Sequence, residues 1–401
     1  MPAMDLEPPR RDGRRFLLRF ALVILLGVLA TAVYSRYAFR LMLLPENQTI
    51  VQLLDDYARV YKPVLFDQAD PEVGVFGASW ARDAFEPLAS GRATGLDWFN
   101  HAVSGATAYE ARRFVESSMD ARRLRAVILN LDTFLRPDER IRLKRGFDEA
   151  LLDTDPEGRP TRWLAIERAI ATTLSGAAIG NSTVVLDAIR LRAAGADPAS
   201  YLDSYQRFDF AGREDDIARM REAHAQAAGP APATPLAELP LPPGARDLER
   251  VLALLCRRDI DVYAYFTPSM VLAGGPIRGL AATLHGLDLL RRRQSDCRAR
   301  LHYYNFNYPN AVTLDGLGAH GRYSLYYRPD GHPRPLLGQL MVTRMFGTPF
   351  PDGTPQAVVD DFGVDLLAVP DAEATLRDQA QAMERMMATQ AGAPRPAAAD
   401  G

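Results

Sequence analysis

The sequence predicts an α/β protein: a mainly parallel sheet covered by helices on both faces, carried behind one N-terminal membrane span and interrupted by a helical insertion. Three observations predict it. Short apolar runs rich in β-branched and aromatic residues recur between stretches of helical periodicity, a long block without strand pattern separates the second run from the third, and an uncharged apolar stretch lies near the N-terminus. Strands that alternate with helices pair in parallel through crossovers, and such sheets are buried on both sides.

The span comes first. Residues 20–34, FALVILLGVLATAVY, carry no charge, and Phe16, Leu17 and Leu18 extend the run to about the length a helix needs to cross a bilayer. Residues 16–35 read as a transmembrane anchor and 1–15 as a cytoplasmic leader. Arg10, Arg11, Arg14, Arg15 and Arg19 precede the core of the run, against Arg36 and Arg40 just after it, and the more basic flank stays inside. The rest of the chain then faces the other side. A cleaved signal peptide is the competing reading, because Ala30-Thr31-Ala32 is small enough for a signal peptidase.

Residues 46–350 are expected to form the α/β domain. Ile50, Leu53, Leu54, Tyr57, Val60 and Tyr61 make a helical stripe that Pro63 is expected to end. Strand candidates lie at 73–79, 125–134, 261–268 and 301–306. Helical patterns cover 108–124, 245–258 and 281–294, and a further amphipathic helix precedes Gly347. Residues 136–246 carry helices and loops, including a Pro/Ala-rich stretch over 227–245, and read as an insertion in the core, with a place over the active face open to it. The Ala- and Pro-rich tail, 388–401, is expected to be disordered.

A chain of 401 residues, 47% hydrophobic and 24% charged, can bury one large core or two small ones. Its formal net charge of −3 gives no reason to expect nucleic acid as a partner. Lysine occurs only at Lys62 and Lys144, so Arg291, Arg292 and Arg293 belong to an arginine-biased composition and read as a solvated helix face. Cys256 and Cys297 are too few for a disulfide framework and lack metal-ligand spacing; no metal or other cofactor is expected. Two buried free thiols are the default reading, and in an oxidising compartment a pair is the alternative.

Three separated segments could carry chemistry. Ser79 stands where a buried strand gives way to a helix, a place that suits either a nucleophile displayed at a strand's carboxyl end or a helix N-cap. Ser104-Gly105-Ala106 forms a small-residue turn before a helix. Asp330-Gly331-His332 precedes the last amphipathic helix of the block. His101 beside the glycine turn reads as a structural neighbour, and His320 is a reserve base.

This order of blocks resembles the SGNH (GDSL-like) hydrolase superfamily, especially its membrane-anchored members linked to bacterial surface-polysaccharide O-acetylation. The resemblance runs from about residue 73 to 347, with the insertion outside it. It implies a flavodoxin-like three-layer α/β/α sandwich and cleavage or transfer of an acyl ester through a serine. By that resemblance Ser79 attacks the carbonyl, His332 takes its proton, and Asp330 orients the ring and stabilises the imidazolium. The backbone N–H groups of Ser79 and Gly105, both near helix N-termini, hold the oxyanion.

The chain departs from the superfamily pattern twice. The acid usually stands three residues before the histidine, where this chain has Pro329, and Asp330 stands two before; that spacing also occurs among polysaccharide acetyltransferase relatives. The third block usually ends Gly-X-Asn-Asp, with the Asn donating to the oxyanion, whereas Asn-Leu-Asp-Thr puts Asp132 at that place and Asn130 two earlier. An ionised Asp132 cannot donate a hydrogen bond, so Asn130 substitutes, or Asp132 is protonated or has another role, or the oxyanion hole is weaker.

The resulting expectation is a single-pass bacterial inner-membrane protein whose periplasmic domain moves or removes an acyl group, acetyl above all, on a surface or exported polysaccharide, with a membrane acyl-donor protein as a further partner. A catalytically inert module that binds glycan or scaffolds an export complex is the alternative from another class, and a secreted lipase-like esterase is the third.

Overall fold

The computed structural model describes residues 11–51, 54, 57–135, 146–196, 241–269, 280–315, 324–328 and 331–391. Six strands make one sheet: β1 (Val73–Phe76), β2 (Trp98–Asn100), β3 (Ala126–Asn130), β4 (Asp261–Phe266), β5 (Leu301–Asn305) and β6 (Val364–Asp365), in the order β2-β1-β3-β4-β5-β6. The first five are parallel, with Val73 opposite both Trp98 and Ala126, and β6 closes one edge antiparallel to β5.

Alternate residues of each strand enter separate apolar clusters, so both faces of the sheet are buried. Phe76, Phe99, Val127, Leu129, Val262, Ala264 and Tyr303 face one cluster, which also takes residues from α3 (Ala58–Ala69), α6 (Ala108–Ser117), α9 (Ala245–Arg257) and α10 (Leu280–Gln294). Val73, Val75, Ile128, Tyr265 and Phe306 face the other, filled by α4 (Ser79–Ala84), α11 (Pro335–Phe346) and α12 (Gln356–Asp361). A strand's period of two decides this split, because successive side chains point to opposite faces. A short helix, α5 (Pro87–Thr94), joins α4 to β2; Pro87 starts it, and the Glu86 carboxylate accepts from the Leu88 and Ala89 N–H groups.

Helix α1 (Arg11–Met42) contains one stretch, 13–42, long and apolar enough to cross a membrane. Leu17, Val23, Leu25 and Leu29 stand more than half exposed on it, whereas Ser35, Ala38, Phe39 and Met42 are buried where it meets the domain. Helix α2 (Gln48–Val51) follows, and α3 starts only at Ala58, so the single stripe predicted over 50–61 is split. Pro63 does not end that helix: it lies inside α3, which runs on to Ala69 and closes on Asp70 in the left-handed region (φ 45°). The lost N–H of the proline is offset by burial of Val64, Leu65 and Phe66 directly after it.

The insertion contributes a 3₁₀ turn at Glu149–Leu151 and the helices α7 (Leu164–Thr173) and α8 (Gly176–Ala193), which pack against α1, with α7 also touching α3. Residues 136–145 and 197–240 lie outside the described residues. Strands β2 and β6 are absent from the sequence-based expectation. Cys256 at the end of α9 and Cys297 before β5 form a disulfide. The last helix, α13 (Ala372–Ala391), carries regular structure through residues 388–391, where disorder is predicted; 392–401 lie outside the described residues.

Candidate active site

The candidate residues gather at the carboxyl ends of the parallel strands. Ser79 follows β1, the 101–107 loop follows β2, Asn130 ends β3, Asp132 follows it, and Thr267 follows β4. The strand order reverses around β1, which lies between β2 and β3, and crevices of open α/β sheets form at such a switch point.

Ser79 is the first helical residue of α4. The N-cap is Ala78, in extended conformation and without a side-chain capping bond, so the N-cap reading of Ser79 is corrected. Its Oγ lies 3.1 Å from His332 Nε2 instead. The turn is tight at Gly77, where a Cβ would stand 2.6 Å from the Asn130 Cβ and 2.9 Å from the Ala81 Cβ. Only a residue without a side chain lets β1, β3 and α4 approach this closely.

His332 lies in a narrow hairpin just before α11. The Arg328 N–H donates to the His332 carbonyl (2.8 Å), the Arg334 N–H donates to the Tyr326 carbonyl (2.8 Å), and Tyr327 bridges Pro333. The edge of the ring meets Trp80, centroid to centroid 5.9 Å. Two contacts hold this hairpin and α11 to the helix of Ser79. Buried Asp83 pairs with Arg328 (3.3 Å) and with Arg82 (2.7 Å), and Gly338 of α11 lies flat against the Ala84 carbonyl. Ser79 and His332 are both half-buried. Asp330, Pro329 and His320 lie outside the described residues.

The loop with Gly105 is tied to the end of β1. The His101 N–H donates to the Val75 carbonyl (2.9 Å), and the Val103 N–H to that of Gly77 (3.1 Å). Gly105 is exposed with φ 59°, a left-handed turn that glycine adopts without strain. From α3, the Lys62 Nζ donates to the Ala102 carbonyl (2.5 Å) and the Arg59 guanidinium to the Ser104 carbonyl (2.8 Å). Arg59 also pairs with the fully buried Glu110, which closes a capping box with Thr107 at the start of α6. The Asn100 amide nitrogen lies within 3.1 Å of the carbonyls of Ala81, Arg82 and Phe85, fastening β2 to the end of α4.

Asn130 and Asp132 are engaged with each other. The Asn130 amide donates to Asp132 Oδ2 (2.9 Å) and to Thr267 Oγ1 (2.8 Å), which uses both of its hydrogens. Asp132 Oδ2 also accepts from the Thr267 backbone N–H (2.8 Å). In this arrangement Asp132 acts as an acceptor that braces the ends of β3 and β4, and the Asn130 amide is turned away from donor work at the serine.

His101 is buried among Phe66, Phe76, Phe99 and Phe114. Burial, with the Lys62 charge nearby, pushes its imidazole down to about 3, so it is neutral at working pH. The roles of Asp83, Asn100, Arg59 and Lys62 escape sequence reading. Each acts through a carbonyl or charge far away in the chain, and only the capping-box spacing of Thr107 and Glu110 had a local signal. Compared with protein-family models, with curated proteins and with solved structures, the chain matches none.

Proposed function

We propose that this chain is a membrane-anchored serine-dependent enzyme that transfers an acyl group to, or hydrolyses an acyl ester on, a surface or exported polysaccharide, in the manner of the SGNH superfamily. The observation that carries the proposal is the 3.1 Å approach of Ser79 Oγ to His332 Nε2 at the carboxyl edge of the sheet. With the ring proton on Nδ1, the Ser79 hydroxyl donates to Nε2. As Oγ bonds to the acyl carbonyl carbon, its proton passes to His332, which returns it to the departing alcohol. Water or a sugar hydroxyl then attacks the acyl-enzyme by the same route reversed. The Ser79 and Gly105 N–H groups are the oxyanion donors in this reading, and Asp330 is the carboxylate for Nδ1.

The order 2-1-3-4-5 of the parallel strands supports a flavodoxin-like three-layer sandwich. The apolar helix α1 supports an inner-membrane anchor, and the Cys256–Cys297 disulfide supports a periplasmic domain, since cytosolic thiols are kept reduced. Glycan and a membrane acyl donor are the partners this reading implies.

The test is the full chain carrying Ser79→Ala. Hydrolysis of an activated acetyl ester such as 4-nitrophenyl acetate should fall about 10³-fold or more, and acetylation of the polysaccharide should change with it. Unchanged activity overturns the reading. One observation favours an inert glycan-binding module instead: Asn130 spends both amide hydrogens on Asp132 and Thr267. That alternative predicts glycan binding that survives Ser79→Ala and no esterase activity in the parent chain.

A further inference from the structure

The insertion helices α7 and α8 form an apolar edge that the proposed chemistry does not use. Residues 169–186, spanning the end of α7, the bend and most of α8, contain no charged side chain. Trp163, Ile166, Ile170 and Leu174 follow at helical spacing down one side, 58%, 51%, 50% and 44% exposed, and Ile179 beyond the bend is 44% exposed. A soluble surface rarely leaves so many large apolar side chains open together, and the exposed Glu167 is the one charge on this side of α7.

Its position says what covers it. Both helices pack on α1. Tyr34, which ends the uncharged run of α1, has its hydroxyl 3.3 Å from Thr183 Oγ1 of α8, and Arg192, further along α8, donates to the Glu46 carbonyl beyond the end of α1 (3.0 Å). The two contacts occur in the same order along both chains, so α8 runs in the direction of α1. Ile179, which precedes Thr183 on α8, therefore lies on the span's side of Tyr34, beside the exposed apolar surface of α1, and α7, which leads into it, packs on the same helix.

The pair does not itself cross. It is fastened to the domain in the middle of α7, at the last turn of α7 and at the exit of α8: Arg168 donates to the Leu151 carbonyl (2.9 Å) and pairs with Asp153 (3.1 Å), the Tyr61 hydroxyl donates to the Thr172 carbonyl (3.3 Å), and Arg192 donates to the Glu46 carbonyl. The helices of ten and eighteen residues are bent by 55° between these ties. Arg168 and Asp187 bound the uncharged run, and at the start of the strip the Arg162 guanidinium lies over the Trp163 ring at 5.7 Å. Aromatic and basic residues at the rim of an apolar strip fit the headgroup level of a bilayer.

We propose that α7 and α8 are a second membrane contact, which lays this strip into the acyl-chain boundary of the leaflet on the domain's side and fixes the height and tilt of the domain over the membrane. The proposal rests on the reading of α1 as a membrane span. Interfacial helices bind lipid in this manner through buried apolar area.

The test uses the full chain reconstituted into phosphatidylglycerol–phosphatidylethanolamine liposomes, with and without brominated acyl chains that quench tryptophan on contact. The chain has three tryptophans, Trp80, Trp98 and Trp163, so the component lost in Trp163→Phe reports the strip. Bromination should quench that component about twofold or more. The double variant Ile166→Glu, Ile170→Glu, on exposed positions, should still float with the liposomes through α1 yet lose most of the quenching. If the chain floats and the Trp163 component is equal in plain and brominated lipid, the second contact is overturned while the anchor stands. A chain that does not float overturns the anchor and this inference with it.

Discussion

Ser79 and His332 stand 253 positions apart and meet because one begins α4 and the other sits in the hairpin that α4 holds through Asp83. The ring of His101, by contrast, is fully buried. An imidazole with an ordinary value of 6.5 is held at about 3 by burial and by Lys62. Between those two values the unfolded chain binds a proton that the folded one refuses, so stability falls as pH drops from about 6.5 toward 3. His101→Phe, which keeps an aromatic ring in the Phe cluster, removes this penalty. Urea unfolding at pH 8 and pH 5 should show the variant losing less stability than the parent between the two; an equal loss would place the acid sensitivity elsewhere.

At the scale of elements, the approach of α11 to α4 sets the site's geometry. A Cβ at Gly338 would stand 1.7 Å from the Ala84 carbonyl oxygen, so Gly338→Ala must push the two helices apart. Overpacking of this kind costs about 1–3 kcal/mol, read as a lowered urea midpoint. Because the displacement separates the element after His332 from the element of Ser79, ester hydrolysis should fall by about 10²-fold. A variant that melts early yet keeps its turnover would uncouple this contact from the site.

The same elements divide into what the sequence makes legible and what it hides. Strands β1, β3, β4 and β5 are legible as dense apolar runs because both their faces are buried. β2 and β6, with three and two residues, are too short to establish a period. Pro63 misleads because a proline's effect on its helix is local, whereas the burial that sustains α3 is tertiary. Within the site, Ser79 and His332 are marked by their places at an element boundary and before a final helix. The bonds of Asn100, Arg59 and Lys62 end on backbone carbonyls, which every residue has, so nothing in the chain's letters announces them.

Over the whole molecule, the disulfide joins the end of α9 to the approach of β5 across 41 residues and so encloses β4 and α10. Chain-entropy arguments give such a loop about 4 kcal/mol of stabilisation. A double Cys256→Ser, Cys297→Ser variant should unfold at a clearly lower urea concentration, and dithiothreitol should bring the parent to the same midpoint. An unchanged midpoint would mean that the covalent link does not constrain the unfolded chain. The pairing itself is not readable from two cysteines, since spacing alone does not tell a bridge from two buried thiols.

The proposed function requires that the His332 imidazole make the Ser79 hydroxyl nucleophilic. Fluorophosphonate labelling of the intact membrane-bound chain, mapped by peptide mass spectrometry, tests it most directly. The account predicts a single phosphonate on Ser79, formed about 10²-fold more slowly or worse in His332→Ala. No adduct on Ser79, or one that forms at the same rate without His332, would contradict it.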